Sequence, residues 1–280
     1  MTAEMRLADK YIATQVQVAL AEDVGNGDRT AGMIEAQARG TARILCRESA
    51  VLCGVLWVAE VFRQVEPAIA IRWDHRDGDR LTPGERVCVL DGPARGLLTG
   101  ERTALNFLQT LSGTASLAAR YVAAVAGTGA RILDTRKTLP GLRLAQKYAA
   151  VSGGATNHRL GLYDAILIKE NHIRAAGSVS AALQRAAAAA DGVPVEIEVE
   201  DLEQLREALQ AGAARILLDN FPLEALRAAV AFTAGRARLE ASGGVNLDSV
   251  RAIAETGVDD ISVGAITKDL KAVDFSMRFD

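Results

Sequence analysis

Cationic side chains cluster in short polar segments near the middle of the chain. Arg136 and Lys137 are adjacent, His158 and Arg159 are adjacent, and Lys169 follows ten residues later. Guanidinium forks grip carboxylates and phosphates through paired hydrogen bonds, and an ammonium group adds a point charge. These residue types predict the binding of small anions.

Acidic and small residues follow in later segments of the same pattern. Glu198 and Asp219 offer oxygen ligands that suit Mg²⁺ or sugar hydroxyls. The small-residue loops Ser242-Gly243-Gly244 and Val263-Gly264-Ala265 resemble the late glycine loops that cradle phosphate with backbone N–H groups. The first of them precedes residues 245–255, which could present a helix N-terminus to an anion. Together these features predict an enzyme for a phosphorylated sugar and an anionic co-substrate.

Several neighbouring residues allow more than one interpretation. Glu196, Glu198 and Glu200 alternate on one strand and share one face, which should be the lumen or mouth because carboxylates are costly against an apolar shell. Glu198 is the favoured functional residue of the three. His172 could support the site or be a hydrogen-bonded loop histidine.

Most of these residues lie where predicted strands end in the second half of the chain, and His158 and Arg159 lie in a loop between two of those strands. Apolar runs without alternation are typical of buried parallel strands, and their alternation with helices indicates βα units. Six such units favour a closed α/β barrel over an open doubly wound sheet, and no G-x-G-x-x-G opens the first unit. Strand ends converge at one barrel mouth. The predicted strands are 131–133, 165–168, 195–199, 216–218, 238–241 and 261–263, and the helices between them include 179–190, 202–211, 223–231 and 247–255.

The first part of the chain, to about residue 112, has a different pattern and predicts an α+β module. Helical spacing covers residues 4–22, including Met5, and a turn follows at residues 25–28. The other predicted elements are strands at 41–46, 69–73 and 86–90 and helices at 55–65 and 99–117.

Charge and composition limit the partners of the protein. The 280 residues carry 32 Lys and Arg against 35 Asp and Glu, a net charge of −3, and only 4% are aromatic. Nucleic-acid binding needs a basic face or stacking aromatics, so we expect neither DNA nor RNA as a partner. Three cysteines without C-x-x-C spacing indicate neither a disulfide framework nor a zinc site. No signal peptide or membrane span is evident, which predicts a cytoplasmic protein.

Long motifs of this chain resemble one enzyme family. The segment DTRKTLPGLRLAQKYAAVSGGATNHRLGLYDAILIKENHI (134–173) is similar to the signature of nicotinate-nucleotide pyrophosphorylase, also called quinolinate phosphoribosyltransferase. The resemblance continues in order through ERTALNFLQTLSG (101–113), PVEIEVEDLEQL (194–205), LLDNF (217–221), SGGVN (242–246) and ISVGAIT (261–267).

The resemblance implies a fold and an assembly. It implies an N-terminal α/β sandwich over 1–112, to which residues 273–280 return, and an open C-terminal α/β barrel of six to seven strands over 113–272. Members of this family are homodimers in which an arginine of one subunit reaches the other's site. The matching residue of this chain is Arg102.

The family reaction joins quinolinate to phosphoribosyl pyrophosphate and yields nicotinate mononucleotide, pyrophosphate and CO₂, with Mg²⁺ as cofactor. By resemblance, Glu198 and Asp219 hold ribose hydroxyls and Mg²⁺, directly or through pyrophosphate or water, and Lys137 lies near the sugar phosphate. These three are the predicted catalytic residues. The quinolinate carboxylates or neighbouring phosphates are assigned to Arg102, Arg136, His158, Arg159 and Lys169. The remaining substrate-binding residues are Thr135, Ser242, Gly243, Gly244, Val263, Gly264 and Ala265, most of them around the 5′-phosphate.

Three other functions remain open from the sequence. A paralogue of this fold found beside molybdate transporters has a reaction that sequence does not settle. A Schiff-base aldolase or a phosphosugar isomerase would use Lys137 or Lys169 as nucleophile. A sensor without catalysis would bind phosphoribosyl pyrophosphate and release no CO₂.

Overall fold

The structure, a computed structural model, describes residues 7–280. Within them the strands are β1 (Arg39–Cys46), β2 (Ala50–Val51), β3 (Ala70–Trp73), β4 (Arg80–Leu81), β5 (Arg86–Pro93), β6 (Arg131–Leu133), β7 (Ile166–Ile168), β8 (Val195–Val199), β9 (Arg215–Asp219), β10 (Arg238–Ser242), β11 (Asp260–Ser262) and β12 (Phe275–Phe279). The helices are α1 (Asp9–Val24), α2 (Val55–Val65), α3 (Ala94–Ala124), α4 (Arg143–Ser152), α5 (Glu170–Ala176), α6 (Val179–Ala189), α7 (Leu202–Gln210), α8 (Leu223–Thr233), α9 (Val250–Ala254) and α10 (Ala265–Lys268).

The chain divides into two compact units. The first comprises the residues up to Ala119 together with Pro140–Gly154 and Leu270–Asp280. The second comprises Arg120–Leu139 and Ala155–Asp269. The predicted domain limits, 1–112 with 273–280 and 113–272, stay a prediction.

The first unit is built on a four-stranded antiparallel sheet in the order β12-β1-β5-β3. The last strand of the sequence pairs with β1, with Ile44 opposite Met277. Helix α2 buries Trp57, Val58, Val61 and Phe62, which recur at helical spacing on one stripe. Full burial of one such side chain stabilises the fold by about 1.5–3 kcal/mol.

Two helices of the first unit differ in length from their predictions. Helix α1 begins at Asp9 and ends at Val24; of the predicted residues 4–22, residues 4–6, including Met5, lie outside the described residues. Helix α3 starts at Ala94 rather than Thr99. Two glycines of α3 permit close packing: a Cβ at Gly100 would lie 2.8 Å from the Phe62 ring, and one at Gly113 would lie 2.4 Å from the Lys271 carbonyl.

The second unit holds a six-stranded parallel sheet in the order β6-β11-β10-β9-β8-β7. Predicted and observed strands agree to within one residue at each end. The sheet is curved. His158 follows a segment that is bridged to β6 at one edge of the sheet, yet its ring contacts Glu196 on β8, near the other edge. The bridge pairs Leu133 with Thr156 and adds a short extended segment beside β6. The expected α/β fold with an open barrel is thus confirmed.

A buried ionic cluster lies at the N-terminal ends of these strands. Asp260 at the start of β11 is fully buried and accepts hydrogen bonds from Arg131 Nε at 2.9 Å and Arg238 Nε at 2.5 Å. Burial acts to raise the pKa of Asp260, but the hydrogen bonds from Arg238 and Arg131 outweigh it, so the pKa lies below its ordinary value. The cluster ties three strands together at the end opposite the predicted mouth.

Among residues 7–280, no helix combines the length and the apolar content that crossing a bilayer would require.

Candidate active site

The carboxyl ends of the parallel strands lie at one edge of the second unit. Ser242 at the end of β10 is directly opposite Asp219 at the end of β9. Ser262 at the end of β11 is opposite Leu133 at the end of β6. Residues that follow these strands therefore emerge at the same edge, as the βα pattern predicted.

The turn after β6 is held by side-chain hydrogen bonds. Thr135 Oγ1 accepts from the Lys137 N–H at 3.1 Å, and Thr267 Oγ1 donates to the Lys137 carbonyl at 2.7 Å. Asp134, fully buried, accepts from the backbone N–H of His158 at 2.9 Å. Asp134 thus helps to position a neighbouring loop.

Arg136 and Arg159 bring two guanidinium groups near each other. The Nε of Arg136 is buried and has no hydrogen-bond partner among residues 7–280. Desolvation by burial and the positive charge of Arg136 lower the pKa of Arg159, which donates through one terminal nitrogen to the Ala165 carbonyl at 3.3 Å. Buried donors without partners are costly, so this pair is suited to an anionic ligand.

The loop that carries Arg159 has no regular secondary structure, yet four consecutive backbone N–H groups in it donate hydrogen bonds to side chains. The His158 N–H goes to Asp134, and the Arg159 N–H donates to His158 Nδ1 at 2.7 Å. The N–H groups of Leu160 and Gly161 donate to the two carboxylate oxygens of Asp164 at 2.7 and 2.9 Å. Since a loop without backbone partners must find others, these contacts fix its path.

The imidazole of His158 faces the barrel lumen. Its Nε2 lies 3.1 Å from Glu196 Oε2 and 3.5 Å from Glu240 Oε2, and both carboxylates are buried. Arg215 approaches the same two glutamates at 3.6 and 3.9 Å. His158, Glu196 and Glu240 also have the spacing of a metal site. Because Nδ1 accepts the Arg159 N–H, a neutral His158 carries its proton on Nε2, which therefore donates to carboxylate and offers no lone pair to a metal.

Lys169 ends β7 and faces the end of β8. Its Nζ lies 2.8 Å from Glu198 Oε2, while about half of the lysine side chain remains exposed. His172 Nδ1 accepts from the Lys169 backbone N–H at 2.9 Å. His172 is therefore a loop-fixing histidine at the start of α5, one of the two alternatives left open by the sequence.

The ends of β9 and β10 interlock. Asn220 adopts a positive φ of 56° and donates to Asp219 Oδ2 at 2.7 Å, and its backbone N–H donates to the Ser242 carbonyl at 2.9 Å. Gly243 has φ of 100°, and a Cβ there would lie 2.1 Å from Asn220 Oδ1. Glycine is thus required at 243 both by its backbone and by its neighbour.

The predicted helix after this loop is wrong in extent. Helix α9 begins at Val250 and has five residues, instead of running over 247–255. Asn246 Oδ1 accepts from the N–H groups of Asp248 and Ser249 and delays the helix start. Any phosphate at Ser242-Gly243-Gly244 would therefore rely on loop N–H groups rather than on a helix N-terminus beginning at 245.

The last small-residue loop follows β11. The Val263 N–H donates to the Leu133 carbonyl at 2.9 Å. A Cβ at Gly264 would lie 2.9 Å from Lys137 Cδ. The aliphatic stem of Lys137 therefore packs directly over Gly264, which brings the first and last predicted segments together.

Arg102 belongs to the first unit. It is exposed on α3 and lines a groove of about 230 Å³ with Asp23, Asp28 and Arg29. Its assignment to a partner subunit's site stays a prediction.

Glu198 and Asp219 suit Mg²⁺ by their chemistry. They are carboxylates at the ends of adjacent strands, but within residues 7–280 no third His, Cys, Asp or Glu joins them in a ready-made metal cage. Mg²⁺ is commonly held by one or two carboxylates together with substrate phosphates. The residues thus fit a Mg²⁺ that arrives with pyrophosphate, and the metal assignment stays a prediction.

Three acidic residues that hold strands and loops of the second unit in place were not identified from the sequence. Glu240 was hidden in an apolar run interpreted only as a strand, Asp260 precedes the predicted strand 261–263, and Asp164 lies in the 134–173 segment but was not singled out. A charge inside a buried parallel strand was the available signal, since such a residue must face a polar lumen.

Family models match most of the chain. The model described as quinolinate phosphoribosyl transferase, N-terminal domain, matches residues 28–112, and the C-terminal domain model matches residues 114–278. A Bacillus subtilis protein described as a probable nicotinate-nucleotide pyrophosphorylase (carboxylating) is 42% identical over 257 residues, 91% of this chain and 89% of the relative. A Mycobacterium leprae nicotinate-nucleotide pyrophosphorylase (carboxylating) is 45% identical over 85% of each chain.

A solved structure shows the same architecture. The nicotinate-nucleotide pyrophosphorylase of Francisella tularensis superposes with a TM-score of 0.97 at 43% identity, covering 100% of both chains. Fold, family models and relatives agree, and the chain belongs to the quinolinate phosphoribosyl transferase family.

Proposed function

We propose that the protein transfers the phosphoribosyl group of phosphoribosyl pyrophosphate to quinolinate with loss of CO₂, in NAD biosynthesis. The observation that carries the proposal is the pair of guanidinium groups of Arg136 and Arg159, one with a buried, unpartnered Nε. Membership of the family and relatives described as carboxylating nicotinate-nucleotide pyrophosphorylases support it.

Quinolinate carries two carboxylates on a pyridine ring, so its site must be cationic. Arg136 and Arg159 bind one or both carboxylates, and Lys169 turns from Glu198 toward the substrate anion. Arg102 of the partner subunit completes the charge in a homodimer; its exposure on α3 supports this role. The cationic group then balances a dianion without relying on the net charge of the chain.

Phosphoribosyl pyrophosphate occupies the later strand ends. Loop N–H groups around Ser242-Gly243-Gly244 and Val263-Gly264-Ala265 hold its 5′-phosphate, with Lys137 beside Gly264. Glu198 and Asp219 bind ribose hydroxyls and would hold Mg²⁺ when it is bound. Bound Mg²⁺ would neutralise charge on the leaving group.

The reaction needs no protein nucleophile. The pyridine nitrogen attacks ribose C1 as the bond from C1 to pyrophosphate breaks, and the carboxylates of Glu198 and Asp219 stabilise positive charge on the sugar ring. The bond from ring C2 to its carboxylate then breaks, leaving the electron pair on C2 beside the positive nitrogen. C2 takes a proton from water, and CO₂ departs.

The proposed location is the cytoplasm. All three cysteines are buried and unpaired, which suits a reducing compartment.

The decisive experiment supplies quinolinate labelled with ¹⁴C in its 2-carboxylate, together with phosphoribosyl pyrophosphate and Mg²⁺. Release of ¹⁴CO₂ in step with nicotinate mononucleotide supports the proposal. Binding of both substrates without CO₂ would overturn it in favour of a sensor, and a borohydride-trapped adduct on Lys137 or Lys169 would indicate Schiff-base chemistry instead.

A further inference from the structure

The buried carboxylates Glu196 and Glu240 are assigned to neither substrate. Glu196 Oε1 and both Glu240 oxygens have no hydrogen bond of ordinary geometry among residues 7–280, although the Ser262 side chain approaches Glu240. Two buried acids side by side cost stability, so their presence calls for a purpose. The group that both approach is the imidazole of His158.

The ring of His158 joins these acids to the loop above. Nδ1 accepts the Arg159 N–H at 2.7 Å, which requires a lone pair on Nδ1. Nε2 then carries the ring hydrogen and donates toward Glu196 Oε2 at 3.1 Å. The alternative tautomer would set a ring N–H against the Arg159 N–H and leave that amide without an acceptor.

Other charged groups around the ring favour the same arrangement. Arg215 from β9 and Asp260 from β11 face the glutamates, and Asp134 from the end of β6 holds the His158 backbone N–H. Arg159 itself is the next residue along the chain. The guanidinium of Arg215 beside the carboxylates also disfavours a metal ion at this position.

We propose that Glu196 and Glu240 are positioning residues that hold His158 as its Nε2–H tautomer, so that its bare Nδ1 fixes the backbone of Arg159. His158 then serves the cationic site through Arg159 and not by touching quinolinate. The kinetic part of the proposal rests on the proposed function, whereas the tautomer does not.

The first test observes the tautomer directly. The chain has three histidines, so ¹⁵N-histidine labelling gives few ring signals, and the spectrum of His158→Asn identifies the signal of His158. At neutral pH we expect the Nε2–H form with Nδ1 accepting a hydrogen bond. An Nδ1–H form, or a mixture typical of free histidine, overturns the proposal whatever the catalytic activity.

The second test uses two variants to separate the role of His158 Nδ1 as a hydrogen-bond acceptor from the role of its Nε2 as a donor. Asparagine can present an acceptor near the Nδ1 position, and glutamine can present a donor near the Nε2 position. We expect His158→Asn to keep most of the affinity for quinolinate and His158→Gln to lose it. Equal losses in both variants would instead indicate direct contact between His158 and quinolinate.

The third test changes the carboxylates. Glu196→Met removes the acceptor, whereas Glu196→Gln keeps one; the matched control is Glu200→Met at the exposed end of the same alternation. We expect Glu196→Met to mix the tautomers and raise KM for quinolinate about 10-fold, comparable to removing the outer partner of a ligating histidine. KM for phosphoribosyl pyrophosphate should stay near that of the parent.

A merely structural role predicts a different outcome. It would lower Tm and weaken both substrates alike in Glu196→Met, with the His158 tautomer unchanged and no rescue by Glu196→Gln. If Glu196→Met fails to fold, the His158→Asn and His158→Gln pair still decides. If the parent protein is inactive, the proposed function fails and the tautomer measurement stands on its own.

Discussion

The ammonium nitrogen of Lys169 lies 2.8 Å from Oε2 of Glu198, across the ends of neighbouring strands. Each residue is assigned to a different substrate, so their ion pair links the two halves of the proposed site. Substrate anions must compete with Glu198 for Lys169, and that competition can be measured.

Replacing Glu198 with glutamine should affect the two substrates unequally. In Glu198→Gln, Lys169 is released from its partner, so quinolinate should bind at least as tightly as in the parent. Phosphoribosyl pyrophosphate loses a carboxylate partner, so kcat/KM for this substrate should fall. The fall should correspond to a loss of about 2–5 kcal/mol of transition-state stabilisation. Calorimetry for quinolinate and steady-state kinetics provide the measurements. A parallel loss for both substrates would contradict the assignment.

Removing the guanidinium of Arg136 should weaken quinolinate specifically. Arg136→Ala is expected to cost about 2–5 kcal/mol in kcat/KM for quinolinate, as for truncating one member of a buried charge pair. Arg227→Ala, on the exposed face of α8, is the matched control and should behave like the parent. An unchanged kcat/KM in Arg136→Ala would exclude Arg136 from the site.

A methyl group at position 264 should displace Lys137. The added Cβ would lie 2.9 Å from Lys137 Cδ, and the flexible lysine can move, so Gly264→Ala should fold. We expect KM for phosphoribosyl pyrophosphate to rise by about 10- to 100-fold, since small misplacements of site groups have effects of that order. Gly129→Ala, with open space around its Cβ, is the control. Equal kinetics in Gly264→Ala and Gly129→Ala would show that the position of Lys137 does not affect substrate binding.

Stability should depend on pH through Glu240. Burial and the adjacent Glu196 raise the pKa of Glu240 from 4.5 to about 7. The folded state binds this proton more tightly, so its stabilising contribution is complete below pH 4.5 and is lost as pH rises through about 7. Glu240→Gln cannot ionise at this position. The free energy of unfolding of this variant, relative to that of the parent, should therefore increase by roughly 1–3 kcal/mol as pH rises from about 5 to about 8. Urea unfolding of both proteins at about pH 5 and at about pH 8 measures the two free energies. A difference between variant and parent that does not change with pH would refute the prediction.

Chelation of Mg²⁺ should stop turnover without preventing quinolinate binding. In the proposed site Glu198 and Asp219 supply only two carboxylates, so a Mg²⁺ held there would depend on pyrophosphate oxygens or water for its remaining ligands. With EDTA present we expect no product, while calorimetric binding of quinolinate alone persists. Full turnover in EDTA would contradict the proposed Mg²⁺ role.

Sequence patterns predicted the strands of the second unit well because each is a short apolar run followed by a polar or small residue. The α/β fold and the family are confirmed. Predictions were weaker where tertiary contacts override local signals. Helix α3 begins at Ala94 rather than at the predicted Thr99, and its Gly100 and Gly113 pack against Phe62 and Lys271.

The site itself was predictable only in part. The positions of Lys137, Glu198 and Asp219 at strand ends follow from the βα pattern. The interlock of Asn220 with Gly243 and the hydrogen bond from the His158 N–H to Asp134 could not be inferred, because each joins residues more than 20 positions apart in the sequence. His158 illustrates this limit: its predicted contact with a substrate stays a prediction, and the contacts of its ring nitrogens with Arg159 and Glu196 were not foreseen.

The pairing of β12 with β1 has a consequence for how the protein is made. Arg43 and Asp280, joined by a hydrogen bond across these strands, are 237 residues apart in the sequence. On the ribosome, β1 emerges early and keeps an unsatisfied edge until β12 is synthesised, so the first sheet cannot be completed before the residues of the second unit have been translated. A stop codon placed before β12 would leave that edge open, and the expected result is aggregation of the truncated chain rather than loss of activity alone.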